Sequence, residues 1–489
     1  MWHNPLRSLA IALLAVIVAT PVVWAHDSGF GLARYATDGQ LDRSFGSDGV
    51  VVIRSALRSF VADALALQPD GKIIIAGMNS DLSTASLQLA IMRYMPDGTP
   101  DVDFGVGGLA ATPAGSAGAQ ANALAVQPDG KVVVVGTTFG HGGADDEFLV
   151  ARYLSNGASD ASFGANGLTT THVGAAGSAA QALALQADGG IVVVGTAFAN
   201  GSTDDDFALV RYTSAGALDD RFGSGGIVTT DFSLGAAGPN PSLDRATAVG
   251  LQPDGAIVVA GFTRGEHQVF AVARYSPTGT LDPAFGAAGR AHVAAREPQT
   301  YALALEPSGE IVVAGSVGSV DGKTAPFALV RLHRDGQPDE RFGVRGLVTT
   351  ALEGSRSGVH AVVAAPDGRL VTGGARFGAP SSQGDALRQS GFALARYGPD
   401  GMLDKSFGAH GTTLTDMGDA GALPLSLALQ PDGKIVAAGL VFFQVAAATT
   451  PVGPQVFVQP IATTVAGAAV LLLVVVGLVV RRRRNRISL

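Results

Sequence analysis

The sequence predicts an all-β fold, a seven-bladed β-propeller of four-stranded antiparallel blades closed by its N- and C-terminal strands, followed by one C-terminal transmembrane helix. Three observations predict it: a repeat, strands that are apolar on both faces, and a chain that begins and ends with half a repeat. The repeat is Ala64–Gly77, Ala-Leu-Ala-Leu-Gln-Pro-Asp-Gly-Lys-Ile-Ile-Ile-Ala-Gly. A fixed period of roughly 50–60 residues indicates blades, coils or arrays. The further copies are Ala123–Gly136, Ala182–Gly195, Ala248–Gly261, Ala302–Gly315, Ala361–Gly374 and Ser426–Gly439.

Each repeat predicts four strands, which we call A, B, C and D. Strands A and B are the two apolar runs of the first half, joined by a Pro-Asp-Gly turn in which Pro and Gly adopt the required backbone angles. The second half opens the chain as Phe30–Tyr35, followed by Leu41–Gly46 and Gly49–Ile53. Strands A and B lack polar alternation, which is expected where each sheet lies between two neighbouring sheets. Four short strands per repeat are typical of a propeller blade.

The chain begins with strands C and D and ends with strands A and B. Pairing Ser426–Gly439 with Phe30–Ile53 completes a seventh blade and removes two exposed sheet edges. We therefore expect a closed ring. Leu440–Thr449 is a possible further strand that would compete with the N-terminal pair.

Loop lengths predict one uniform face and one variable face. The A–B turn has the same length in every copy, and the distance from the Arg of strand C to the Gly after Phe is always 12 residues. The B–C and D–A connections vary, and in an antiparallel blade they share one end. Variable loops on a rigid frame commonly carry binding, although tolerated insertions explain them equally well. The candidate loops are Thr137–Glu147, Thr196–Asp206, Ser233–Arg245 and Arg376–Ser390.

The chain ends predict export and membrane anchoring. Residues 1–25 resemble a secretory signal peptide, with Arg7, an apolar run and a small-residue cleavage site at Ala25. Ile461–Val480 has no charge and is long enough to cross a hydrocarbon core, and Arg481–Arg484 follow it. The positive-inside rule then keeps the basic tail, 481–489, in the cytoplasm and the body outside it. The alternatives are an uncleaved anchor at the N-terminus and, at the C-terminus, a sorting tail that is cleaved. The expected domains are the signal peptide 1–25, the propeller 26–445, a linker 446–460, the transmembrane helix 461–480 and the tail 481–489.

Composition restricts the function. There is no Cys, which excludes thiolate chemistry and disulfides. Without the signal and the tail, which hold six Arg between them, the body carries 27 basic and 41 acidic residues, a net charge of −14. Nucleic acid is an unlikely partner for such a body, because phosphate contacts require clustered Lys and Arg. We expect a body that is monomeric.

An Arg and an Asp, eight residues apart, recur in all seven second halves. A charge pair repeated seven times indicates a structural role rather than seven active sites. We expect the Asp to accept backbone N–H bonds in the C–D connection while the Arg forms a bidentate pair with it, and the Phe that follows to lie between blades. The pairs are Arg34 and Asp42, Arg93 and Asp101, Arg152 and Asp160, Arg211 and Asp219, Arg274 and Asp282, Arg331 and Asp339, and Arg396 and Asp404.

Two acidic runs occupy equivalent B–C loops on the variable face, Asp145-Asp146-Glu147 and Asp204-Asp205-Asp206. Carboxylate oxygens suit calcium, so calcium is a possible ligand, but no EF-hand spacing is present and a solvated loop is the simpler interpretation. We therefore expect no obligatory cofactor or metal.

Catalytic signatures are absent from the sequence. There is no His-Glu-x-x-His, Gly-x-Ser-x-Gly, Walker loop or complete Gly-x-Gly-x-x-Gly. Both Trp residues lie in the predicted signal, so aromatic platforms for sugars or bases are few. The sequence therefore nominates no catalytic residues, and a non-enzymatic function is favoured.

The combined unit, Ala-Leu-Ala-Leu-Gln-Pro-Asp-Gly-Lys with Phe-Ala-Leu-Ala-Arg-Tyr and Asp-Gly-x-Leu-Asp-x-Ser-Phe-Gly, resembles the bacterial delta-60 repeat family of β-propeller proteins, from Phe30 to Gly439. Leu332 and Ser308 depart from the pattern. The resemblance implies an exported or surface protein and no general activity. We expect a membrane-tethered scaffold, in the periplasm or on the cell surface, that binds a protein or an envelope polymer through the variable face. The alternatives are a propeller enzyme in the axial channel, such as a hydrolase, lyase or quinone-dependent dehydrogenase, and a structural spacer.

Overall fold

The structure is a computed structural model. It describes residues 26–54, 58–81, 86–140, 145–199, 205–232, 242–265, 267–318, 325–352, 357–376, 390–417 and 421–444. The predicted signal peptide, linker, transmembrane helix and basic tail lie outside the described residues. No described helix is long and apolar enough to cross a membrane.

The described residues form 28 strands in seven antiparallel sheets of four. We number the blades I to VII; blades I to VI take four consecutive strands each, starting at β3, and blade VII combines β27 and β28 with β1 and β2. The strands are β1 (His26–Tyr35), β2 (Val50–Arg54), β3 (Arg58–Leu67), β4 (Ile73–Asp81), β5 (Ser86–Tyr94), β6 (Leu109–Thr112), β7 (Gly118–Val126), β8 (Val132–Phe139), β9 (Glu147–Tyr153), β10 (Leu168–Thr171), β11 (Ser178–Leu185), β12 (Ile191–Ala197), β13 (Asp206–Tyr212), β14 (Ile227–Thr230), β15 (Leu243–Leu251), β16 (Ile257–Arg264), β17 (Gln268–Tyr275), β18 (Arg290–Val293), β19 (Gln299–Leu305), β20 (Ile311–Ser316), β21 (Phe327–Leu332), β22 (Leu347–Thr350), β23 (Ser357–Ala364), β24 (Leu370–Arg376), β25 (Gly391–Tyr397), β26 (Thr412–Thr415), β27 (Gly421–Leu429) and β28 (Ile435–Gln444).

The ring closes as predicted. Strand β1 pairs with β28 over ten residues, from His26 opposite Gln444 to Tyr35 opposite Ile435. Strand A is innermost, because the A strands of neighbouring blades contact each other all the way round, including β27 against β3. The prediction of seven four-stranded blades is therefore confirmed.

Leu440–Thr449 does not begin a competing strand within the described residues. Leu440–Gln444 instead continues β28 and pairs with the start of β1. Strands A and B also extend further toward the variable face than their apolar runs, so that Thr137–Phe139 belongs to β8 and Leu243–Arg245 to β15. All four candidate loops are shorter than predicted at one or both ends, since Thr196 also belongs to β12 and Arg376 to β24.

The core lies between the blades. Val133, Val135 and Phe163 of blade II, for example, pack against Val193 and Tyr212 of blade III. Each of these side chains is fully buried. Burying one such side chain contributes about 1.5–3 kcal/mol, so the facing sheets dominate stability.

Candidate functional site: a fixed face, a variable face and an axial ring

Seven repeated charge pairs surround the face that carries the A–B and C–D connections, which we call the fixed face. In each pair the Arg contacts one carboxylate oxygen, Oδ2, of the Asp eight residues later; the Nε–Oδ2 distance is 2.8 Å in Arg152–Asp160. The other oxygen, Oδ1, accepts the backbone N–H two residues further on, from Ser162 in that blade at 3.1 Å. The same N–H bond occurs for the other six Asp residues, Asp42, Asp101, Asp219, Asp282, Asp339 and Asp404.

The expected bidentate geometry is wrong, because the Arg also bonds the next blade. Arg152 Nη1 donates to the carbonyl of Ser214, 62 residues later, at 2.5 Å. With one carboxylate oxygen occupied by the turn N–H, the guanidinium divides its donors between the two blades. Equivalent carbonyl contacts are made by Arg34, Arg93, Arg274, Arg331 and Arg396.

The Phe of each repeat completes this arrangement, which we call the girdle: seven units of Arg, Asp and Phe. The Arg152 guanidinium lies over the Phe163 ring at 4.6 Å, and that ring lies against Gly216 of the next blade. A side chain at Gly216, whose φ is +84°, would collide with it. The girdle thus joins each blade to the next.

Blade III departs from this pattern. Arg211 pairs with Asp219 but also donates to Gln186 Oε1 and to Asp188 Oδ2, each at 2.5 Å. Gly190 stands where blades I, II and VII carry a Lys, and a side chain there would overlap the Arg211 guanidinium. Arg211 therefore occupies the space of the missing Lys, which in blade II bonds Asp160 at 3.2 Å.

Hydrogen bonds and neighbouring positive charges explain the acidity of these carboxyls. The Ser162 hydroxyl donates to Asp160 at 2.6 Å, and Lys131 and Arg152 add positive charge, so the pKa of Asp160 is well below its usual range. A hydrogen bond from Ser406 in the same way lowers the pKa of Asp404 to about 2. These groups are charged at any physiological pH and balance their Arg partners.

The variable face carries the B–C and D–A connections, and the structure separates the six acidic residues predicted there. Asp145 is exposed, Asp146 accepts the Gly140 N–H at 2.9 Å, and Glu147 begins β9. Asp204 lies outside the described residues. Asp205 is buried and pairs with Arg245 of blade IV at 3.3 Å.

Asp206 joins a different acidic group, with Asp231 and Asp244. One carboxylate oxygen of each lies within 4.8 Å of the other two. Asp244 is fully buried and accepts the Phe232 N–H at 2.6 Å. Burial raises the pKa of Asp244 to about 6. This group distinguishes the junction of blades III and IV from the six other junctions, as far as the described residues show.

A third arrangement was missed by the sequence reasoning. Each A strand contains a β-bulge at the same position, where one residue has no partner on strand B. Because the A strands surround the axis, the seven bulged residues form a ring at one height of the channel, which we call the bulge ring. Its members are Asp63, Asn122, Gln181, Thr247, Tyr301, His360 and Leu425.

The cause of the bulge is visible in the repeat. The last residue of the Ala64–Gly77 unit is Gly in every copy, and it lies opposite the residue before the bulge. A side chain at Gly77 would overlap the carbonyl oxygen of Val61. All seven glycines show the same overlap with strand A. An isolated Gly within a strand pattern is a known signal of a bulge or close backbone approach, and it could have revealed the ring.

Ring members contact neighbouring A strands. Gln120 Nε2 donates to Asp63 Oδ2 at 3.2 Å, from blade II to blade I. Asn122 Nδ2 donates to the Ala180 carbonyl of blade III at 2.6 Å. The Tyr301 and His360 rings of blades V and VI lie 4.9 Å apart with planes tilted by 51°. All seven ring residues are half-buried, so water reaches each of them.

The ring is nearly uncharged at neutral pH. Burial raises the pKa of Asp63 to about 7 and lowers that of His360 to about 4. Burial also raises the pKa of Tyr301 to about 12. The remaining members do not titrate, and none is Lys or Arg.

Two clefts lie elsewhere. One, of about 230 Å³, lies between blades VII and I and is lined mainly by apolar residues, among them Phe30, Ile53 and Phe60. The other, of about 330 Å³, lies on the fixed face of blade IV beside Arg274 and Asp282. The cleft on blade IV is lined by Arg274 and Asp282, a girdle pair that has a structural role. The cleft between blades VII and I has no titratable side chain in its lining.

The chain is thus a closed seven-bladed β-propeller with one repeated face. Six segments match the family model described as "Domain of unknown function (DUF5122) beta-propeller": residues 68–104, 127–163, 186–222, 252–285, 306–342 and 365–407. These six segments are therefore similar to DUF5122 β-propeller repeats. Each match runs from an A–B turn to the girdle Phe, and the seventh such unit is divided between the two ends of the chain.

Several solved structures match much of the chain at low sequence identity. A glucose dehydrogenase is 14% identical, with 65% of this chain and 95% of that chain covered and a TM-score of 0.35. A polysaccharide lyase, an ulvan lyase, is 11% identical, with 80% and 94% covered and a TM-score of 0.45. An α-L-arabinofuranosidase from Fusarium graminearum is 10% identical, with 78% and 98% covered and a TM-score of 0.44. None of the curated proteins matches the chain. Likenesses this distant carry no argument about function.

Proposed function

We propose that this chain is a membrane-tethered, extracytoplasmic propeller of the delta-60 type that binds a protein or a cell-envelope polymer through its variable face. The single observation that supports it is the difference between the two faces. The fixed face repeats one structural unit seven times. The variable face has connections of unequal length and groups that belong to one junction, such as Asp205 with Arg245.

The tether is inferred from the sequence. An apolar segment of 20 residues followed by an Arg cluster is typical of a helix that anchors an exported domain. In intact spheroplasts of the source bacterium, added protease should degrade the body, and alkaline carbonate should leave the undigested protein in the membrane. Protection from protease, or release by carbonate, would contradict the tether.

Two exposed carboxylates permit a matched test of the binding face. Asp145 is exposed on the variable face of blade II, and Asp103 is exposed on the fixed face of blade I. Asp145→Arg and Asp103→Arg make the same change of charge on opposite faces. The probe is the isolated cell-envelope fraction, and the measurement is co-sedimentation of the full-length protein in detergent. A rim charge changes binding by a modest factor, about threefold to tenfold.

Asp145→Arg should change the bound fraction by that factor, whereas Asp103→Arg should leave it unchanged. A larger effect of Asp103→Arg, or wild-type protein that does not sediment with envelopes, would overturn the proposal. Arg296→Glu, at a second exposed position of the variable face, provides a repeat of the test in blade V.

The alternative of an enzyme in the axial channel has weaker support. Acid and base groups must lie within reach of the same reacting atoms. Asp63 belongs to blade I and His360 to blade VI, with blade VII between them. Binding is therefore better supported than catalysis.

A further inference from the structure

We propose that the bulge ring is a binding site for one neutral sugar unit, separate from the variable face and independent of the function proposed above. The ring is a set of unlike side chains held at the same height by identical backbone geometry.

The backbone of the bulge does not require different side chains in different blades. The bulge forms opposite Gly in all seven blades, whether the bulged residue is a carboxylic acid, an amide, a hydroxyl, an aromatic residue or Leu425. The girdle, in contrast, uses one set of side chains because each member has a structural contact. The bulge forms whichever side chain it carries, so the side chains at this position can differ to suit a ligand.

The polar members can both donate and accept hydrogen bonds. Asn122, Gln181 and Thr247 lie on three successive blades and each have a donor and an acceptor. The Asn122 amide and the Thr247 hydroxyl each donate one hydrogen bond to a backbone carbonyl, and the oxygen of each side chain still accepts. Vicinal hydroxyl groups of a sugar require this combination, because each hydroxyl donates one hydrogen bond and accepts others. Gln181 lies between the other two and is half-buried beside the channel.

The next part of the ring, on blades V and VI, is aromatic. Tyr301 and His360 are in contact, 4.9 Å between ring centroids, and half-buried. Aromatic faces pack against the apolar C–H surface of a sugar ring while their polar ends remain hydrogen-bonded. Here the Tyr301 hydroxyl donates to Gln299 Oε1. A polar arc on blades II to IV therefore adjoins an aromatic arc on blades V and VI.

Charge disfavours anionic ligands. A phosphate or a carboxylate would require a cation to offset its desolvation, and the ring holds neither Lys nor Arg. Burial lowers the pKa of His360 to about 4 and raises that of Asp63 to about 7, so burial disfavours the charged form of both side chains. Arg245, two residues before Thr247, is already paired with Asp205. A neutral, hydroxyl-rich ligand fits this arrangement.

The test uses saturation-transfer NMR and calorimetry on the full-length protein in a polyoxyethylene detergent, because detergents with sugar head groups would compete. The probes are glucose, galactose, mannose and N-acetylglucosamine, with glucuronate and glucosamine as charged counterparts. We expect at least one neutral sugar to bind with a millimolar or tighter Kd, and more tightly than its charged counterparts.

Gln181→Ala and Tyr301→Ala should each weaken that binding about tenfold, the equivalent of one good polar or aromatic contact. Asp103→Arg, on the fixed face, should leave it unchanged. Urea unfolding of each variant separates loss of binding from loss of fold, and Gln181→Ala serves if Tyr301→Ala does not fold. Absence of binding by every neutral sugar, tighter binding of a charged sugar, or binding that both ring variants retain would overturn the proposal.

Discussion

The girdle and the bulge ring both occur seven times, but the girdle repeats its side chains and the bulge ring repeats only its backbone geometry. In the girdle the side chains repeat: Arg, Asp and Phe occur in every blade, and in six of the seven blades the Arg donates to a carbonyl of the neighbouring blade. In the bulge ring only the backbone repeats, and its side chains range from Asp63 to Leu425. The comparison shows that a repeated side chain indicates a contact on which stability depends, whereas a repeated backbone with unlike side chains leaves chemistry free to vary.

The largest effect is expected in the girdle. Asp160 is 4% exposed and holds Arg152, Lys131 and the Ser162 N–H. Asp160→Ala would leave the buried Arg152 without its counter-charge, which typically costs about 3–5 kcal/mol. We expect the urea midpoint of the full-length protein to fall accordingly. The matched control, Asp145→Ala in the same blade, removes an exposed carboxylate and should change stability by less than about 0.5 kcal/mol.

The pH dependence tests the same contact. The pKa of Asp160 is lowered in the folded protein, chiefly by the Ser162 hydroxyl. Its stabilising contribution is therefore complete above the unfolded value of about 3.9 and is lost as pH falls through the folded pKa. The difference between the wild type and Asp160→Ala should be constant from pH 6 to 8 and should shrink below about pH 4. Equal midpoints at neutral pH would show that Asp160 has no structural role.

The second prediction compares the stability cost of a backbone change in the bulge ring with the cost of a side-chain change there. Gly195 lies opposite Ala180, and a side chain at Gly195 would overlap the Ala179 carbonyl. Gly195→Ala should therefore strain or remove the bulge, at a cost of about 1–3 kcal/mol. Gln181→Ala changes the bulged side chain alone and should cost less than about 0.5 kcal/mol. Urea unfolding measures both. Equal losses would mean that the ring side chains are structural, and would weaken the comparison with the girdle.

The sequence predicts the propeller well because its signals are local and repeated. The Pro-Asp-Gly turns, the apolar A and B strands and the two unmatched ends lead to seven closed blades. The position of each Arg beside its Asp also follows from a spacing of eight residues. In contrast, the contact from Arg152 to Ser214 joins residues 62 apart, and no local pattern indicates it.

The candidate sites were harder to predict, for a related reason. Asp206, Asp231 and Asp244 lie on three different strands or connections and meet only when two blades pack together. The bulge ring depends on a register shift, and its one signal is the Gly that ends each copy, such as Gly195. The sequence shows that polar residues occur in these segments, but it does not show which of them lie close together in the fold.

The smallest effect concerns the junction where the ring closes. In five junctions a Tyr of strand C is hydrogen-bonded to a Thr of the preceding strand D, as in Tyr212 with Thr171 at 2.7 Å. The equivalent pairs are Tyr35 with Thr415, Tyr153 with Thr112, Tyr275 with Thr230 and Tyr397 with Thr350. Between blades IV and V both partners are apolar, Val293 and Leu332.

At the closing junction, between blades VII and I, only one partner is polar. Tyr94 keeps its buried hydroxyl, which has no hydrogen-bond partner among the described residues, because Ile53 stands at the Thr position. Tyr212→Phe should therefore cost about 1 kcal/mol, whereas Tyr94→Phe should be neutral or slightly stabilising, since it removes an unsatisfied group. Urea unfolding of Ile53→Thr, Tyr94→Phe and the double variant forms a cycle whose coupling should be about 1 kcal/mol in favour of the Thr–Tyr pair. Equal costs for Tyr94→Phe and Tyr212→Phe would show that the closing junction is bonded like the others, and that its departure from the repeat has no energetic consequence.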